Sequence, residues 1–246
     1  MYDYALGGSH NFAVDREMVE KVEAMLPGSS LLAHVNRAFL RRAVRFCLDA
    51  GIRQFLDVGS GIPTVGSVHE VAGDNFPDSR VVYVDVDPVA VAHGQAILRD
   101  NPRAVAIHGD VRGAADLLDA PEVTKLLDLS KPVAVLLIAV LHFIPDEDQP
   151  AGIVTRLGER LVPGSYLVMS HGSPEERPDD ADAVRQIYKS TATPLSLRSR
   201  EEIGALFDGF ELVEPGLTWV TAWRASPSSR DEEERREILA GVGRKP

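Results

Sequence analysis

The sequence has little cysteine, no long apolar run and a deficit of basic residues. Its one cysteine, Cys47, rules out an internal disulfide framework and a cysteine-rich zinc centre, and it is typical of a reducing cytoplasm. The longest apolar run, Val133–Leu141, is far shorter than the roughly 18 residues of a membrane span, so no membrane partner is expected. The histidines lack HxxxH and HxH spacing, so no metal site is predicted.

Acidic residues outnumber basic ones by 37 to 26, which gives a formal net charge of -11 over 246 residues. Nucleic-acid binding needs a basic footprint, so the balance argues against a nucleic-acid partner. Four arginines do lie at helical spacing, and we interpret them as a solvated helix face rather than a binding patch; they are Arg37, Arg41, Arg42 and Arg45. The N-terminus has no basic region followed by an apolar core, so no signal peptide is predicted.

Apolar periodicity predicts alternating strands and helices. The predicted strands are Gln54–Val58, Val81–Val86, Ala104–His108, Val133–Leu141 and Tyr166–Ser170. The predicted helices are Asp15–Met25, Leu31–Ala50, Val65–Asn75, Pro88–Asp100, Asp116–Leu127, Asp146–Leu161, Asp179–Ser190 and Arg200–Phe207. This alternation is typical of an α/β fold with a parallel sheet and helices on both faces.

The last part of the chain departs from this alternation. The apolar runs Phe210–Val213 and Leu217–Trp223 are separated by a Glu-Pro-Gly turn signal, which predicts an antiparallel pair. The fold class is therefore Rossmann-like, with a mostly parallel sheet and one antiparallel strand near the C-terminus. We divide the chain into an N-terminal lid loop and helices (1–50), a core (51–225) and a charged tail (226–246). The tail is expected to be a short exposed helix or a frayed end.

Two strand ends carry the main functional signal. The first strand runs into Gly59-Ser60-Gly61, and a glycine turn there lets a ligand lie against bare backbone at the carboxyl edge of the sheet. The next strand ends at Asp85, 24 positions after Gly61, where an acid can accept from both hydroxyls of a ribose. Together they predict a nucleoside-containing cofactor.

The end of the glycine turn indicates which cofactor. A nicotinamide or flavin fingerprint would have a third glycine or alanine at position 64, but Thr64 stands there after Pro63. The proline removes a backbone donor, which is unfavourable for cradling a pyrophosphate. S-adenosylmethionine has an adenosine, an amino-acid tail and no phosphate, so it is the predicted cofactor.

Further polar residues follow the same strand ends. Asp57 is predicted either to orient the glycine turn or to hold an ammonium group. Asp110 is predicted to accept from an adenine amino group while the Val111 amide faces a ring nitrogen, with a helix cap as the alternative for Asp110. Val86 is included in the cofactor site beside Asp85, whereas Asp87 fits better as the cap of the following helix.

The motifs FLDVGSGIPT, VVYVDVDP, HGDVR, AVLHFIPD and LVPGSYLVMSH resemble the successive strand ends of class I S-adenosylmethionine-dependent methyltransferases. YDYALGGSHNFAVDRE, NRAFLRRAVRF and the Pro-Thr ending of the glycine turn resemble, more narrowly, the bacterial "S-adenosyl methyltransferase" family first catalogued as a domain of unknown function. The resemblance covers Tyr2 to Trp223. Members of that family usually carry more residues before the Tyr-Asp-Tyr motif, so part of a lid is expected upstream.

The resemblance implies a role for each matching position. It implies that the glycine turn passes under the methionine and ribose portions, with Asp85 at the ribose and Asp110 with Val111 at the adenine. It further implies that Ala139 and His142, at the end of the fourth strand, face the sulfonium and the acceptor pocket. The family's methyl acceptors are largely unassigned.

The N-terminal loop is predicted to close over the ligand, with an ordinary ordered arm as the alternative. Its candidate substrate or lid residues are Tyr4, His10 and Asn11. Arg37, with its neighbour Asn36, is predicted to reach the carboxylate of the cofactor, for which a guanidinium fork is suited. Solvated positions on the helix are the alternative for both.

Two histidines, His142 and His171, follow strands that end at the same edge of the sheet. Either is a candidate base if the acceptor must lose a proton, although a packed or capped histidine is the common alternative. The favoured function is methyl transfer to a small molecule. A non-catalytic protein that binds S-adenosylmethionine and a nicotinamide-dependent oxidoreductase are the competing hypotheses.

Overall fold

A computed structural model describes residues 2–8, 11–25, 28–176, 194–225 and 236–246. The predicted helix Asp179–Ser190 lies outside these described residues. Within them, no helix is at once long enough and apolar enough to cross a bilayer.

One mixed sheet of eight strands organises the described residues. Its strands are β1 (Gln54–Val58), β2 (Arg80–Asp85), β3 (Ala104–His108), β4 (Ala134–Ile138), β5 (Tyr166–Gly172), β6 (Glu211–Leu212), β7 (Thr218–Trp219) and β8 (Ile238–Arg244). The order is β3-β2-β1-β4-β5-β8-β6, with β7 also paired to β8. The strands β1 to β5 are mutually parallel, and β8 runs antiparallel to β5, β6 and β7. The predicted Rossmann-like sheet is confirmed.

The helices surround this sheet. They are α1 (Tyr2–Ala5), α2 (Ala13–Met25), α3 (Ser29–Asp49), α4 (Val68–Ala72), α5 (Pro88–Ile97), α6 (Ala114–Asp119), α7 (Pro121–Leu126), α8 (Pro150–Arg160) and α9 (Arg200–Ala205). Short 3₁₀ turns cover Gly73–Asn75, Val111–Gly113, Leu141–Phe143 and Asp146–Asp148. The long helix α3 forms because apolar residues recur every fourth position, and the buried stripe is Val35, Phe39, Ala43 and Cys47.

The core has two layers, one on each face of the sheet. Successive strand residues point to opposite faces, so Phe55 packs in the layer under α3 while Leu56 packs in the layer under α6 and α8. The strand order reverses between β1, which leads out to β2, and β4, which leads out to β5. In open α/β sheets ligands bind outside the carboxyl ends of the strands at such a switch point. The glycine turn after β1 therefore lies where a cofactor crevice is expected.

The predicted pairing of the last two apolar runs is wrong. The strands β6 and β7 do not pair with each other; each pairs with β8. The expectation of an exposed helix or frayed end is also wrong for Ile238–Arg244, which is buried beside β5 except at its last residue. A Cβ at Gly241 would lie 3.0 Å from the Phe207 ring, and one at Gly243 would lie 2.8 Å from Phe210. The two glycines let Phe207 and Phe210, which follow α9, pack against β8. The charged residues before β8 explain why the sequence pattern did not predict a strand there.

Several predicted elements are shorter in the structure. The run Val133–Leu141 supplies the strand β4 only as far as Ile138, because Ala139 turns the chain with a φ of 57°. The predicted helix Asp116–Leu127 is interrupted before Pro121 and becomes α6 and α7. The helix predicted from Asp146 begins at Pro150, after a 3₁₀ turn.

Candidate cofactor and acceptor site

The glycine turn after β1 uses its own amides inside the protein. The N–H groups of Gly59 and Ser60 both donate to the carbonyl oxygen of Val84, at 2.8 and 3.1 Å. The N–H of Gly61 donates to Oδ2 of Asp85 at 2.7 Å. Both glycines have positive φ, 70° and 61°, which explains why glycine occupies these positions. Because its donors are satisfied internally, the turn offers a surface for packing rather than a nest for phosphate.

Asp85 is a fixed acceptor at the end of β2. Besides the contact with Gly61, its Oδ1 accepts from the Asp87 N–H at 2.9 Å, and the side chain is half-buried. Two backbone donors hold the carboxylate while leaving acceptor capacity for hydroxyl groups. The expected helix cap at Asp87 is confirmed, since its Oδ1 accepts from the Val89 N–H at 2.8 Å at the start of α5.

Asp57 and Arg37 are buried side chains of opposite charge beside this turn, with no direct ion pair between them in the described part of the chain. Asp57 is 4% exposed, and burial, reinforced by the negative charge of Asp85 and opposed by Arg37, raises its pKa to about 7. Arg37 is 8% exposed, and its Nε has no hydrogen-bond partner among the described residues. The glycine turn is held by Asp85, and the two predicted roles of Asp57, orienting that turn or holding an ammonium group, stay predictions. The pair leaves buried charge available for a ligand.

The adenine-side residues have mixed surroundings. Asp110 accepts from the Arg112 N–H at 2.9 Å, so it caps the 3₁₀ turn that follows β3. Its carboxylate also binds the Arg112 guanidinium, and these hydrogen bonds hold the pKa of Asp110 below its usual value. Val111 is buried and Val86 is 54% exposed. The cap is therefore present, and the contact of Asp110 with an adenine stays a prediction.

A chain of hydrogen bonds crosses the site from α1 to the end of β4. The Tyr2 hydroxyl donates to the Ala33 carbonyl at 3.1 Å and accepts from Nδ2 of Asn36 at 3.2 Å. Oδ1 of Asn36 accepts from the Ser170 hydroxyl at 2.7 Å, and that hydroxyl accepts from the Ala139 N–H at 3.0 Å. The Tyr2 ring lies 5.5 Å from the guanidinium carbon of Arg37. No pattern in the sequence predicts the Ser170 contact.

The N-terminal candidates are largely occupied by contacts with their own segment. The Tyr4 hydroxyl donates to Glu20 of α2 at 3.2 Å. Nδ2 of Asn11 donates to Asp3 at 3.0 Å and to the Gly8 carbonyl at 2.7 Å, and its Oδ1 accepts from the Arg16 guanidinium. Asn11 thus acts as a brace of the loop. The candidate His10 lies outside the described residues.

The two candidate bases are both buried and both neutral. The Gly172 N–H donates to Nδ1 of His142 at 3.2 Å, so the ring proton of His142 is on Nε2, and burial lowers its pKa well below the usual value. Nδ1 of His171 donates to the Gly172 carbonyl at 2.8 Å, while its Nε2 faces Arg198 at 3.0 Å. Burial lowers the pKa of His171 to about 4. A ring nitrogen free to take a proton is therefore missing from both, which conflicts with the predicted role of a general base.

Arg198 is a buried residue that the sequence analysis missed. Its guanidinium donates to the carbonyl oxygens of Leu141 and Ile144, each at 2.9 Å, and to the Asp146 carboxylate. It also contacts Nε2 of His171. Arg198 thereby holds the loop that follows β4 and Ala139. A single arginine in a polar stretch carries no pattern that would have identified this role.

Comparison with known proteins assigns the family. A model of the S-adenosyl methyltransferase family matches residues 1–246. The chain belongs to this family.

Solved structures agree with that assignment. A DUF574 family protein from Streptomyces avermitilis is 40% identical, with a TM-score of 0.94 over 100% of this chain and 95% of that one. A candidate methyltransferase from Thermobifida fusca is 37% identical, with a TM-score of 0.91 over 99% and 92%. The N-methyltransferase NodS from Bradyrhizobium japonicum, in complex with S-adenosyl-l-homocysteine, is 14% identical, with a TM-score of 0.51 over 85% and 88%, and shows the shared fold alone. No curated protein matches the sequence.

This S-adenosyl methyltransferase uses S-adenosylmethionine as its cofactor, and the described residues fit that molecule. A Cβ at Gly61 would meet nothing within 4 Å, so the glycine turn borders open space. Arg37 has a buried Nε without a partner among the described residues, a group suited to a carboxylate, and Asp57 has a buried carboxyl, a group suited to an ammonium. Asp85 retains acceptor capacity for hydroxyl groups. These are the three polar features that an adenosyl amino acid brings.

Proposed function

We propose that this methyltransferase acts on a small-molecule acceptor bound beside Ala139, and that Arg37 and Asp57 hold the amino-acid end of the cofactor. The buried opposite charges of Arg37 and Asp57 carry the proposal. Neither charged group has a direct ion-pair partner within the described residues, although both are nearly inaccessible to water. A buried charge without a partner is costly, so its persistence is a reason to look for a ligand of matching charge.

The adenosine end is proposed to lie over the ends of β2 and β3. Asp85 would accept from the ribose hydroxyls, because two backbone donors already fix its orientation. The exposed apolar side chain of Val86 would be covered by the adenine, whose amino group would donate to Asp110 beside the Val111 amide. Gly59, Ser60 and Gly61 would pass beneath the ribose and the methionine chain.

The chemistry needs positioning more than acid or base groups. S-adenosylmethionine supplies an electrophilic methyl group on a sulfonium when it is bound. The protein contributes a fixed approach direction and a water-poor crevice, and such positioning can account for most of the acceleration of a transfer between two bound molecules. Ala139 and the loop held by Arg198 would border the acceptor.

The histidines receive a revised role in this proposal. Nε2–H of His142 is a hydrogen-bond donor, so His142 would orient an acceptor oxygen or nitrogen rather than remove a proton. His171 would support the neighbouring wall through Arg198. The acceptor class that suits this arrangement is a small molecule whose nucleophilic atom already has a free lone pair at neutral pH. An amine near its pKa or a thiolate is an example.

Calorimetric titration of the full chain with S-adenosylmethionine, S-adenosylhomocysteine and NAD tests the cofactor site. We expect binding of both sulfur compounds, none of NAD, and loss of binding in Asp85→Ala. Asp87→Ala is the matched control, because it removes a neighbouring carboxylate that only caps α5. Loss of binding in both variants, or in neither, would contradict the placement of the ribose.

The acceptor is tested separately by following S-adenosylhomocysteine release with panels of small amines, thiols, phenols and carboxylic acids. We expect turnover with members of the amine, thiol or carboxylic acid panels, whose nucleophilic atoms need no base at neutral pH. Turnover confined to the phenols, or to proteins or nucleic acids supplied in parallel, would overturn the proposed acceptor class while leaving the cofactor site intact.

A further inference from the structure

Three side chains connect the N-terminal helix α1 with the backbone at the end of β4; they are Tyr2, Asn36 and Ser170. The direction of the hydrogen bonds is constant: the Ala139 N–H donates to Ser170, Ser170 to Asn36, Asn36 to Tyr2, and Tyr2 to the Ala33 carbonyl. Hydrogen bonds that run in one direction polarise one another, so a change at one end affects the other.

The burial of this chain indicates that it is a fixed feature. Asn36 is 1% exposed and Ser170 is 0% exposed, so neither side chain has access to water as a substitute partner. Burial also raises the pKa of the Tyr2 hydroxyl, which keeps it protonated and able to donate. Loss of a member would leave its neighbour with an unsatisfied buried polar group.

The two ends of the chain lie at different parts of the proposed cofactor site. At one end, the Tyr2 ring faces the guanidinium of Arg37, which the proposed function places at the cofactor's carboxylate. At the other end is Ala139, whose φ of 57° is unfavourable for a residue with a Cβ. The Ala139 N–H also lies 3.2 Å from the Ser170 carbonyl, so Ser170 holds this strained amide with both its hydroxyl and its backbone.

We propose that Asn36 is a positioning residue that couples the seating of Tyr2 over Arg37 to the backbone conformation of Ala139. Asn36 lies between Tyr2 and Ser170, which do not bond to each other. Its amide nitrogen donates to the Tyr2 hydroxyl, and its amide oxygen accepts from the Ser170 hydroxyl. Seating of α1 at the methionine end of the site thus fixes the amide that borders the methyl group. The inference rests on the proposed function, because it assumes that Arg37 and Ala139 border one ligand.

A double-mutant cycle on S-adenosylmethionine affinity tests this coupling. Tyr2→Phe and Ser170→Ala each remove one oxygen, and we expect each to weaken binding about three- to tenfold. If Asn36 couples them, the double variant is weakened by much less than the product of the two factors, because either change already breaks the chain. In an Asn36→Leu background the two further changes are expected to have almost no effect on affinity.

Tyr4→Phe provides the matched control for this cycle. Tyr4 is on the same short helix, but its hydroxyl donates to Glu20 and not to Asn36. In the double variant of Tyr4→Phe and Ser170→Ala, the loss of S-adenosylmethionine affinity is expected to equal the product of the two single losses. Thermal unfolding of every variant provides a second measurement, since a purely structural hydrogen bond would give coupling in stability without coupling in affinity.

The outcomes separate the two proposals. Independent effects of Tyr2→Phe and Ser170→Ala on affinity would overturn the role of Asn36, even if the wild-type chain binds the cofactor normally. Coupling seen only in the unfolding temperature would also overturn it. Wild-type protein that does not bind S-adenosylmethionine would instead overturn the proposed site, and this inference with it.

Discussion

At the amino end of β1, a buried glutamine side chain is fully hydrogen-bonded to the neighbouring backbone. Near the carboxyl end of the same strand, buried charged groups have no direct ion-pair partner among the described residues. Gln54 begins β1; its amide nitrogen donates to the Asp128 carbonyl at 3.0 Å and its oxygen accepts from the Asp128 N–H at 2.6 Å. Asp57 is the fourth residue of the same strand, near its carboxyl end, and the pKa of its carboxyl is raised. The nearby Arg37 has an Nε without a hydrogen-bond partner among the described residues. Only Phe55 and Leu56 lie between the fully hydrogen-bonded Gln54 and Asp57, the residue proposed to bind the cofactor.

The buried carboxyl of Asp57 lowers the free energy of unfolding. A carboxyl group whose pKa rises on folding destabilises the folded state above its unfolded pKa. For Asp57 the penalty begins near pH 4, grows as pH increases and is complete above about pH 7. At neutral and higher pH the folded protein is therefore less stable with Asp57 ionised than it would be with a neutral side chain at this position. A lower stability of this kind is what the proposed binding of a ligand at Asp57 predicts, since functional sites are commonly less stable than they could be.

The largest effect is expected from Arg37→Ala at the carboxyl edge. Removing a charge-assisted contact to the cofactor's carboxylate should weaken S-adenosylmethionine binding by roughly 10- to 100-fold, measured by calorimetry. Arg53→Ala at the amino edge is the control, because Arg53 pairs with the exposed Asp78 at 3.2 Å. Equal losses in the two variants would remove the functional distinction between the edges.

Gln54→Ala should show the reverse behaviour. Loss of both amide contacts leaves the Asp128 N–H and carbonyl without this partner, and we expect the free energy of unfolding to fall by about 1–3 kcal/mol. Denaturant titration measures the loss, and the affinity for S-adenosylmethionine in folded protein should stay within about twofold of wild type. A large change in affinity would show that the amino edge also shapes the site.

Asp57 should make cofactor binding depend on pH. Its carboxyl protonates as pH falls through about 7, and a neutral carboxyl loses its attraction for an ammonium group. Affinity should therefore fall by about tenfold from pH 7 to pH 5.5, a range in which the ligand's own amine stays charged. Asp57→Asn should bind more weakly at pH 7 and show a flat profile.

The same variant gives an independent check of the sign. Because Asp57→Asn removes a destabilising buried charge, it should raise the free energy of unfolding at pH 8 and have little effect near pH 4. A variant that is less stable at pH 8 would mean that the carboxylate is stabilised by its surroundings, contrary to the raised pKa.

The smallest effect is expected from Ser79→Ala, just before β2. The Ser79 hydroxyl is buried and has no hydrogen-bond partner among the described residues. It therefore differs from Gln54, whose side chain is fully hydrogen-bonded at the same edge of the sheet. A buried hydroxyl without a partner keeps only its desolvation cost, so its removal should leave the free energy of unfolding within about 0.5 kcal/mol of wild type or raise it. A loss well above that value would reveal a partner for this hydroxyl.

The sequence was sufficient where a local pattern decides the structure. The predicted bounds of β1 and β3 agree with the structure, since each is a short apolar run between turn signals. The capping role of Asp87 and the acid that ends β2 at Asp85 could be located for the same reason. Strand ends and helix caps depend on neighbours along the chain, and these are visible in a single sequence.

Contacts between distant positions could not be predicted in this way. Ser170 and Asn36 bond although they are 134 positions apart, and Arg198 reaches back 52 positions to Asp146. Burial of Asp57 and the tautomer of His142 likewise depend on what the fold packs against them. The strand β8 was missed because its glycines and the charged residues before it suggest an exposed segment, whereas Phe207 and Phe210 determine where glycine is needed.

The position of β8 in the sheet sets the order in which the molecule can be assembled during translation. The strands β6 and β7 are made before β8, yet both pair with it, and β8 also covers the outer edge of β5. Until residues 238–244 leave the ribosome, β5 is an unpaired edge strand, and β6 and β7 lack the strand with which they pair. Unpaired edges of this kind are sites of intermolecular association, so the nascent chain is exposed to aggregation until β8 has left the ribosome and paired.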